Sequence, residues 1–388
     1  MKKLIALASI LLVLIMLGCT SQNETAQETT ANETVAENAS VVNEENITVE
    51  LPAANVTETI APETETLQVD QTMEMYKQCV ELVLSQSGDT YDSSEFELAD
   101  GAEIVSMLSC ISVGQELYSE EQYTGSVYHG TMIDAHNHFF YGSSVSSMID
   151  KMDDAELDKI LILSGDSMQL YEDYPDRIIP FYGSYEEDAL DDVLANAEEK
   201  LKEGYKGIGE IDLRHAPVPT AASETKNPAD SAEMKAVADI AAKYNVPVTV
   251  HHESNFDELE RLLDYNPDAK IILAHAGTGG IDNIFRINRL LGEHPNLYVD
   301  LSQRTSVFMA EDQKDEIYNL LLSGGQINPI WKHVLEKYPD RFMVGGDYYV
   351  EDRDSLKIGA DEFKKVLGQI DNDAAEKIAY QNVLNLVS

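Results

Sequence analysis

Strand-like and helix-like segments alternate through residues 130–388, and this alternation limits most strongly what the chain can fold into. Helix-like stretches such as Ala189–Glu203, Ala232–Tyr244 and Phe256–Tyr265 separate eight short β-rich runs. Parallel neighbouring strands need such a crossover, and the length of this region is close to the roughly 250 residues of a (β/α)8 barrel. We therefore predict an α/β fold, a TIM barrel, with strands at 132–135, 160–164, 178–183, 207–211, 246–250, 270–274, 297–301 and 341–344.

Histidines and an aspartate stand where several predicted strands end. His136 and His138 end the first strand two residues apart, so both side chains face the same side of it. His251, His275 and Asp347 end the fifth, sixth and eighth predicted strands. Because the carboxyl ends of barrel strands meet at one face, we expect these side chains to surround one point. Imidazole and carboxylate ligands suit Zn²⁺, with Mn²⁺, Fe²⁺ or Co²⁺ as alternatives.

The competing interpretation is that these five residues are ordinary core groups. One hydrogen-bonded core histidine is common, but five unpaired ionisable side chains at apolar strand ends would cost on the order of several kcal/mol. A shared metal site is therefore favoured. Asp134, two residues before His136, is predicted to be structural, whereas His252 points to the opposite face of its strand from His251.

Six segments, taken in order, resemble the amidohydrolase superfamily, in particular the amidohydrolase-related branch called amidohydrolase 2. The resemblance covers residues 130–388. The segments are Ile-Asp-Ala-His-Asn-His at 133–138, Tyr-Pro-Asp-Arg at 174–177, Gly-Tyr-Lys-Gly-Ile-Gly-Glu at 204–210, Val-Pro-Val-Thr-Val-His at 246–251, Ile-Leu-Ala-His-Ala-Gly at 272–277 and Val-Gly-Gly-Asp at 344–347.

The resemblance implies a role for each strand-end residue. His136, His138 and His251 would be metal ligands, His275 a ligand or a contact that polarises an oxyanion, and Asp347 both a ligand and the general base. Where some relatives carry a carboxylated lysine that bridges two metals, this chain has Glu210, similar to the bridging glutamate of a metal-dependent deoxyribonuclease branch. The expectation is one tightly held ion with Glu210 oriented into the site, or two ions bridged by Glu210.

The implied activity is that of a metal-dependent hydrolase, in which a metal-bound water attacks an amide, ester or lactone carbon of a small molecule. Asp347 would take the proton and His275 would help to stabilise the oxyanion. Metal-dependent decarboxylases of the same branch offer an alternative. A non-catalytic binding lipoprotein is a third possibility, although a binding scaffold does not need the base at Asp347.

Substrate specificity would come from residues in the loops that follow the strands. Arg214 and Arg304 could pair with a substrate carboxylate or form structural ion pairs instead. The full set of candidates is Arg214, His215, His252, Gln303, Arg304, Tyr348 and Tyr349.

The charge of the chain argues against a nucleic-acid partner. It contains 27 Lys and Arg residues and 70 Asp and Glu residues, which gives a net charge of −43. Such a chain is expected to repel phosphate backbones, and this also opposes a deoxyribonuclease function. A small-molecule substrate is therefore expected.

The N-terminus has the order of charges and apolar residues found in a secretory signal. Lys2 and Lys3 precede an apolar run over 4–17, and Gly18 and Cys19 follow. Residues 16–19 resemble the lipobox of prokaryotic lipoproteins, which implies lipidation at Cys19 and anchoring to the outer face of the cell membrane. The alternative is an ordinary cleaved signal with an incidental cysteine.

Two further segments separate this signal (1–19) from the predicted catalytic domain at 129–388. Residues 20–70 are rich in Thr, Asn and Glu and contain too little apolar surface to fold, so we expect a disordered linker. Residues 71–128 carry helical periodicity and predict a small helical segment. Within it, Cys79 and Cys110 would form a disulfide in an oxidising compartment, or would pack as two buried thiols.

Overall fold

A computed structural model describes the part of the chain that holds the predicted catalytic domain. The described residues are 123–139, 144–163, 167–183, 189–215, 225–277, 281–308, 319–321, 324–347 and 353–388. The predicted signal, the linker, Cys19, Cys79, Cys110, Tyr348 and Tyr349 lie outside them.

Eight parallel strands form the central sheet, each at the place predicted from the sequence. A ninth strand, β5, is a two-residue segment that pairs antiparallel with the end of β4. The remaining strands follow each other in chain order around the sheet. The bounds are β1 Ile133–Asn137, β2 Lys159–Leu163, β3 Ile178–Tyr182, β4 Gly207–His215, β5 Thr225–Lys226, β6 Pro247–His252, β7 Lys270–Leu273, β8 Leu297–Asp300 and β9 Phe342–Met343.

Hydrogen bonds between the first strand and the residues that follow the last strand bring the sheet close to a closed barrel. The Ala135 amide donates to the Val344 carbonyl over 2.9 Å, and the Asp347 amide donates to the His136 carbonyl over 2.6 Å. The predicted (β/α)8 TIM barrel is therefore confirmed.

Helices connect the strands, and three of them have the bounds expected from the sequence. Within the described residues, no helix combines the length and apolar character needed to cross a bilayer. The helices are α1 Val145–Ala155, α2 Ser167–Asp173, α3 Ala189–Glu203, α4 Ala232–Tyr244, α5 Phe256–Tyr265, α6 Ile281–Glu293, α7 Pro329–Lys337, α8 Arg353–Leu367, α9 Asn372–Glu376 and α10 Asn382–Val387.

The two faces of the strands pack into separate apolar clusters. In β2, Ile160 and Ile162 join a large cluster with helix residues such as Met148, whereas Leu161 and Leu163 join a smaller one. The smaller cluster gathers residues of β1, β2, β3, β7 and β9 together with two residues of α10. Since alternate residues of a barrel strand point inward, the smaller cluster is the barrel interior and the larger one joins the barrel to its helices.

The chain enters the domain as an extended segment. Residues 123–128, the end of the predicted helical segment, are not helical. The Tyr123 amide donates to the Gly324 carbonyl over 2.8 Å, and the Tyr128 amide donates to the Lys364 carbonyl over 2.9 Å. These bonds tie the segment to the barrel domain.

Candidate metal centre

Six predicted ligands meet at the carboxyl ends of the barrel strands. His136 lies within β1 and His138 directly after it, while Glu210 and His251 lie within β4 and β6. His275 and Asp347 follow β7 and β9. Three groups of these side chains offer ligand atoms that all lie within 4.8 Å of one another. The structure thus brings together all six residues, although their role as ligands stays a prediction.

Glu210 stands at the centre of the cluster, and its two oxygens face two different pairs of histidines. Oε2 lies 3.1 Å from His136 Nε2 and 3.3 Å from His138 Nε2. Oε1 lies 2.9 Å from His251 Nδ1 and 3.1 Å from His275 Nε2. One carboxylate therefore joins two halves of the site.

The spacing of the nitrogens suits a bound cation. His136 Nε2 and His138 Nε2 are 3.2 Å apart, and His251 Nδ1 and His275 Nε2 are 3.1 Å apart. Two nitrogens bound tetrahedrally to Zn²⁺ at 2.0–2.1 Å would be separated by about 3.3 Å. Each pair of rings therefore already has the spacing of two ligands of one ion, so the residues present fit a divalent metal.

Asp347 completes the half of the site that holds His136 and His138. Its Oδ1 lies 3.2 Å from His138 Nε2 and 3.6 Å from His136 Nε2. Its Oδ2 accepts a hydrogen bond of 2.6 Å from the side-chain amide of Gln303. Asp347 can thus contact a bound ion through one oxygen while Gln303 holds the other.

The backbone changes direction at the strand ends so that these side chains reach the site. His275 and Asp347 have φ values of 55° and 56°, in the left-handed region that few non-glycine residues adopt. Before Glu210, Gly209 has φ of 117°, and a Cβ there would lie 2.3 Å from the Thr249 carbonyl oxygen. Such unfavourable conformations cluster at functional sites, where the surrounding structure enforces them.

Mutual attraction shifts the pKa values of the buried acids and bases. Burial alone would raise the pKa of Glu210, but His136 holds it well below its usual range. Burial would likewise lower the pKa of His136, yet Glu210 and Asp300 raise it well above its usual value. Glu210 and Glu253 raise the pKa of His251 to about 10 against the effect of burial. The carboxylates therefore stay ionised and attract positive charge, which either protons or a divalent ion can supply.

The two arginines predicted to bind substrate form contacts with other groups of the protein. Arg214 is held by Glu258, with Arg214 Nη2 2.6 Å from Glu258 Oε1 and Arg214 Nε 3.0 Å from Glu258 Oε2. Arg304 is buried and donates to the carbonyls of His275 and Ala276. Both arginines thus have the structural ion-pair or hydrogen-bond role that the sequence left open.

The other candidates for substrate binding lie apart from the cluster or outside the described side chains. His252 is fully buried, contacts the Phe256 ring and places Nε2 3.2 Å from the Asn255 carbonyl, so it supports the loop after β6. His215 ends β4 opposite Thr225, and its side chain is not among those described. Among the described candidates, Gln303 contacts the side chain of a predicted ligand, Asp347.

Sequence reasoning overlooked three side chains that hold the histidine rings from behind. Asp300 Oδ2 lies 3.0 Å from His136 Nδ1, Ser302 Oγ 2.7 Å from His275 Nδ1 and Glu253 Oε1 2.9 Å from His251 Nε2. Asp300 and Ser302 stand two residues apart at the end of the seventh barrel strand, as His136 and His138 do in the first. The same spacing argument could have identified them.

Asp134 has the predicted structural role, because its side chain binds backbone amides. Its Oδ1 accepts from the amides of His136 over 3.2 Å and Gly346 over 2.7 Å. Burial raises the pKa of Asp134 to about 6. These bonds fix β1 against the loop that carries Asp347.

One protein-family model matches the larger part of the barrel domain. Residues 166–386 match the family model described as Amidohydrolase, a range that includes Glu210, His251, His275 and Asp347. A search of curated proteins found no match.

Several solved structures are similar to the chain at low sequence identity. A probable 2-pyrone-4,6-dicarboxylic acid hydrolase from Acinetobacter baumannii is 14% identical, with 66% of this chain and 99% of that chain covered and a TM-score of 0.45. A dihydroxybenzoic acid decarboxylase from Polaromonas sp. JS666, with bound manganese and 2-nitroresorcinol, is 14% identical, with 67% and 97% covered and a TM-score of 0.43. A dihydroorotase from Campylobacter jejuni is 15% identical, with 68% and 85% covered and a TM-score of 0.43.

Proposed function

This chain belongs to the amidohydrolase family, and on that premise we propose that it is a metal-dependent hydrolase of small molecules with an amide, ester or lactone bond. One observation carries the proposal: the two carboxylate oxygens of Glu210 lie beside two different pairs of histidine nitrogens. Buried carboxylates and closely spaced imidazoles form a donor set of the kind that Zn²⁺ prefers, with Mn²⁺, Fe²⁺ and Co²⁺ as other candidates.

The contacts of Glu210 suggest two groups of ligands. His136, His138 and Asp347 would hold one ion with Oε2 of Glu210, and His251 and His275 would hold a second with Oε1. His136, His275 and Asp347 also offer ligand atoms within 4.8 Å of one another, so the two groups adjoin. We therefore propose two neighbouring ions. When bound, a divalent ion lowers the pKa of water and polarises a carbonyl oxygen.

The chain's own groups would handle the proton. His138 and His136 hold the pKa of Asp347 below its usual value against the effect of burial, so this carboxylate is ionised at neutral pH. It can therefore accept a proton from the attacking water and return it to the leaving group, while Gln303 fixes its orientation. Burial lowers the pKa of His275, so its ring is neutral and can act as a ligand or as a polar contact for the substrate oxygen.

Metal analysis and turnover of the purified full-length chain test the proposal. We expect at least one equivalent of divalent metal and hydrolysis of a member of an amide, ester or lactone panel. Asp347→Asn is expected to abolish turnover, a loss of about 10²–10⁴-fold or more, and to retain most of the metal. An aromatic-acid panel assayed for carbon dioxide release would reveal a decarboxylase instead, and a metal-free protein after metal-replete expression would exclude both activities.

We also propose that the chain is exported and anchored by lipid at Cys19. The support is the sequence alone: Lys2 and Lys3, the apolar run and the small residue before Cys19. Labelling of cells with a radioactive fatty acid should mark the wild-type chain and leave Cys19→Ala unlabelled. Equal labelling of both would contradict the proposal.

A further inference from the structure

One fully buried carboxylate contacts both halves of the candidate metal centre from behind. Asp300 Oδ2 lies 3.0 Å from His136 Nδ1. Asp300 Oδ1 accepts from the amides of His275 and Ser302, over 3.0 and 3.1 Å, and from the Ser302 hydroxyl. The Ser302 hydroxyl in turn lies 2.7 Å from His275 Nδ1. Asp300 therefore reaches one ring directly and the other through Ser302.

The donors and acceptors in this network determine where the ring protons lie. An ionised carboxylate only accepts hydrogen bonds, so His136 must carry its proton on Nδ1 and the Ser302 hydroxyl must donate to Asp300. That hydroxyl then offers a lone pair to His275, whose proton must also lie on Nδ1. With a metal bound, both rings would then present the lone pair of Nε2, the nitrogen that lies beside Glu210, to the metal centre.

Tight packing holds the network in place. A Cβ added at Gly345 would lie 3.0 Å from His136 Cβ, 3.2 Å from Ser302 Cβ and 3.4 Å from Asp300 Oδ1. All three residues therefore close around a glycine, and both Asp300 and Ser302 are fully buried.

We propose that Asp300 and Ser302 are positioning residues that fix the tautomer and the orientation of His136 and His275, one ligand in each half of the metal centre. The inference rests on the proposed metal-dependent function. Asp300 would then support a ligand in each half of the metal centre. A substitution of Asp300 should affect both His136 and His275, whereas a substitution of Ser302 should affect His275.

Zn²⁺ affinity of the full-length chain, measured by competition with a chromogenic chelator, is the first test. Groups that orient metal-binding histidines typically change metal affinity by about 10–100-fold when replaced. We expect Ser302→Ala to weaken binding about 10-fold and Asp300→Asn about 100-fold. The double variant should lose less than the product of the two single effects, since Ser302 acts through Asp300.

The Nδ1 protons of ¹⁵N-histidine-labelled, zinc-saturated protein give a second test that a general loss of stability would not affect. Hydrogen-bonded Nδ1 protons of His136 and His275 should appear at low field. Ser302→Ala should move the His275 proton to higher field and leave the His136 proton in place, whereas Asp300→Asn should shift both.

Ser167→Ala is the matched control. Ser167 is also fully buried, and its hydroxyl donates 2.7 Å to the Phe181 carbonyl, away from the six ligands. It should leave Zn²⁺ affinity and both Nδ1 protons unchanged.

The outcomes separate the two proposals. If the wild type binds no Zn²⁺, the proposed function and this inference both fail. If the wild type binds Zn²⁺ and Ser302→Ala binds it within twofold with an unchanged His275 proton, the inference alone is overturned. Ser302→Ala removes only one hydroxyl, so it remains decisive even if Asp300→Asn does not fold.

Discussion

At the scale of single residues, Glu210 is the group on which the two halves of the metal centre depend. Glu210→Gln removes the charge that faces four imidazoles and leaves an amide that is a poor ligand for Zn²⁺. We expect two equivalents of Zn²⁺ in the wild type and at most one in Glu210→Gln, as measured by elemental analysis.

Glu198→Gln is the control for this substitution. Glu198 pairs with Lys243 at 2.5 Å, is partly exposed and belongs to none of the groups of ligand atoms found among the described residues. It should keep the wild-type metal content. A Glu210→Gln protein that still binds two equivalents would contradict the bridging role.

His252 allows a second prediction for a single residue, because burial disfavours the charged form of its ring. Burial lowers the pKa of His252 to about 4, whereas its usual value is 6.5. Between these values the unfolded chain binds a proton that the folded chain does not, so His252 costs stability as the pH falls through this window and has no effect above it. From pH 8 to pH 5 its contribution should fall by about 2 kcal/mol.

Urea denaturation of the wild type and of His252→Gln at pH 8 and pH 5 checks this value. Glutamine does not titrate, so the variant should lose about 2 kcal/mol less than the wild type over the same interval. Identical pH dependence of the two proteins would show that His252 is protonated in the folded state.

At the scale of an element, the turn after β7 depends on a buried arginine. The turn Ala274–Gly277 places His275 and Ala276 at positive φ, and Arg304 donates to their carbonyls over 2.8–3.3 Å. Burial lowers the pKa of Arg304 to about 10, so the group still carries its charge at neutral pH. Arg304 therefore supports the backbone of a predicted ligand, and its contact with a substrate carboxylate stays a prediction.

Arg304→Met should destabilise the protein by about 3 kcal/mol, since it leaves buried carbonyls without their charged donors. Urea unfolding at pH 7.5 measures the change. Arg289→Met provides the comparison, because Arg289 binds Glu260 and Glu293 at the surface and its loss should cost under about 1 kcal/mol. Equal losses in the two variants would show that the turn does not depend on Arg304.

For the molecule as a whole, the described residues form a nearly closed barrel with its own core. Residues 123–388 include all eight barrel strands and the bonds that join Tyr123 and Tyr128 to the domain. We expect a 123–388 fragment to unfold in one transition, within about 4 °C of the same transition in the full chain, and to bind the same amount of Zn²⁺. Calorimetry and elemental analysis measure both, and a fragment that fails to fold would show that residues before 123 are part of the core.

The predicted helices and strands agree best with the structure in the regular parts of the chain. The bounds of α3, α4 and α5 agree with the helical stretches read from the sequence, and all eight barrel strands lie where alternation placed them. Local patterns succeed here because the period of apolar residues reflects which face of each element is buried.

Periodicity in the sequence is enough to predict the barrel, and the rule that parallel strands end on one face predicts which residue types meet there. The sequence could not show which of these residues contact each other. Tertiary structure alone decided that Glu210 divides between two histidine pairs, that Arg214 binds Glu258 and that Asp300 supports His136. Such contacts join residues far apart in the chain, and only the folded backbone sets the distances between them.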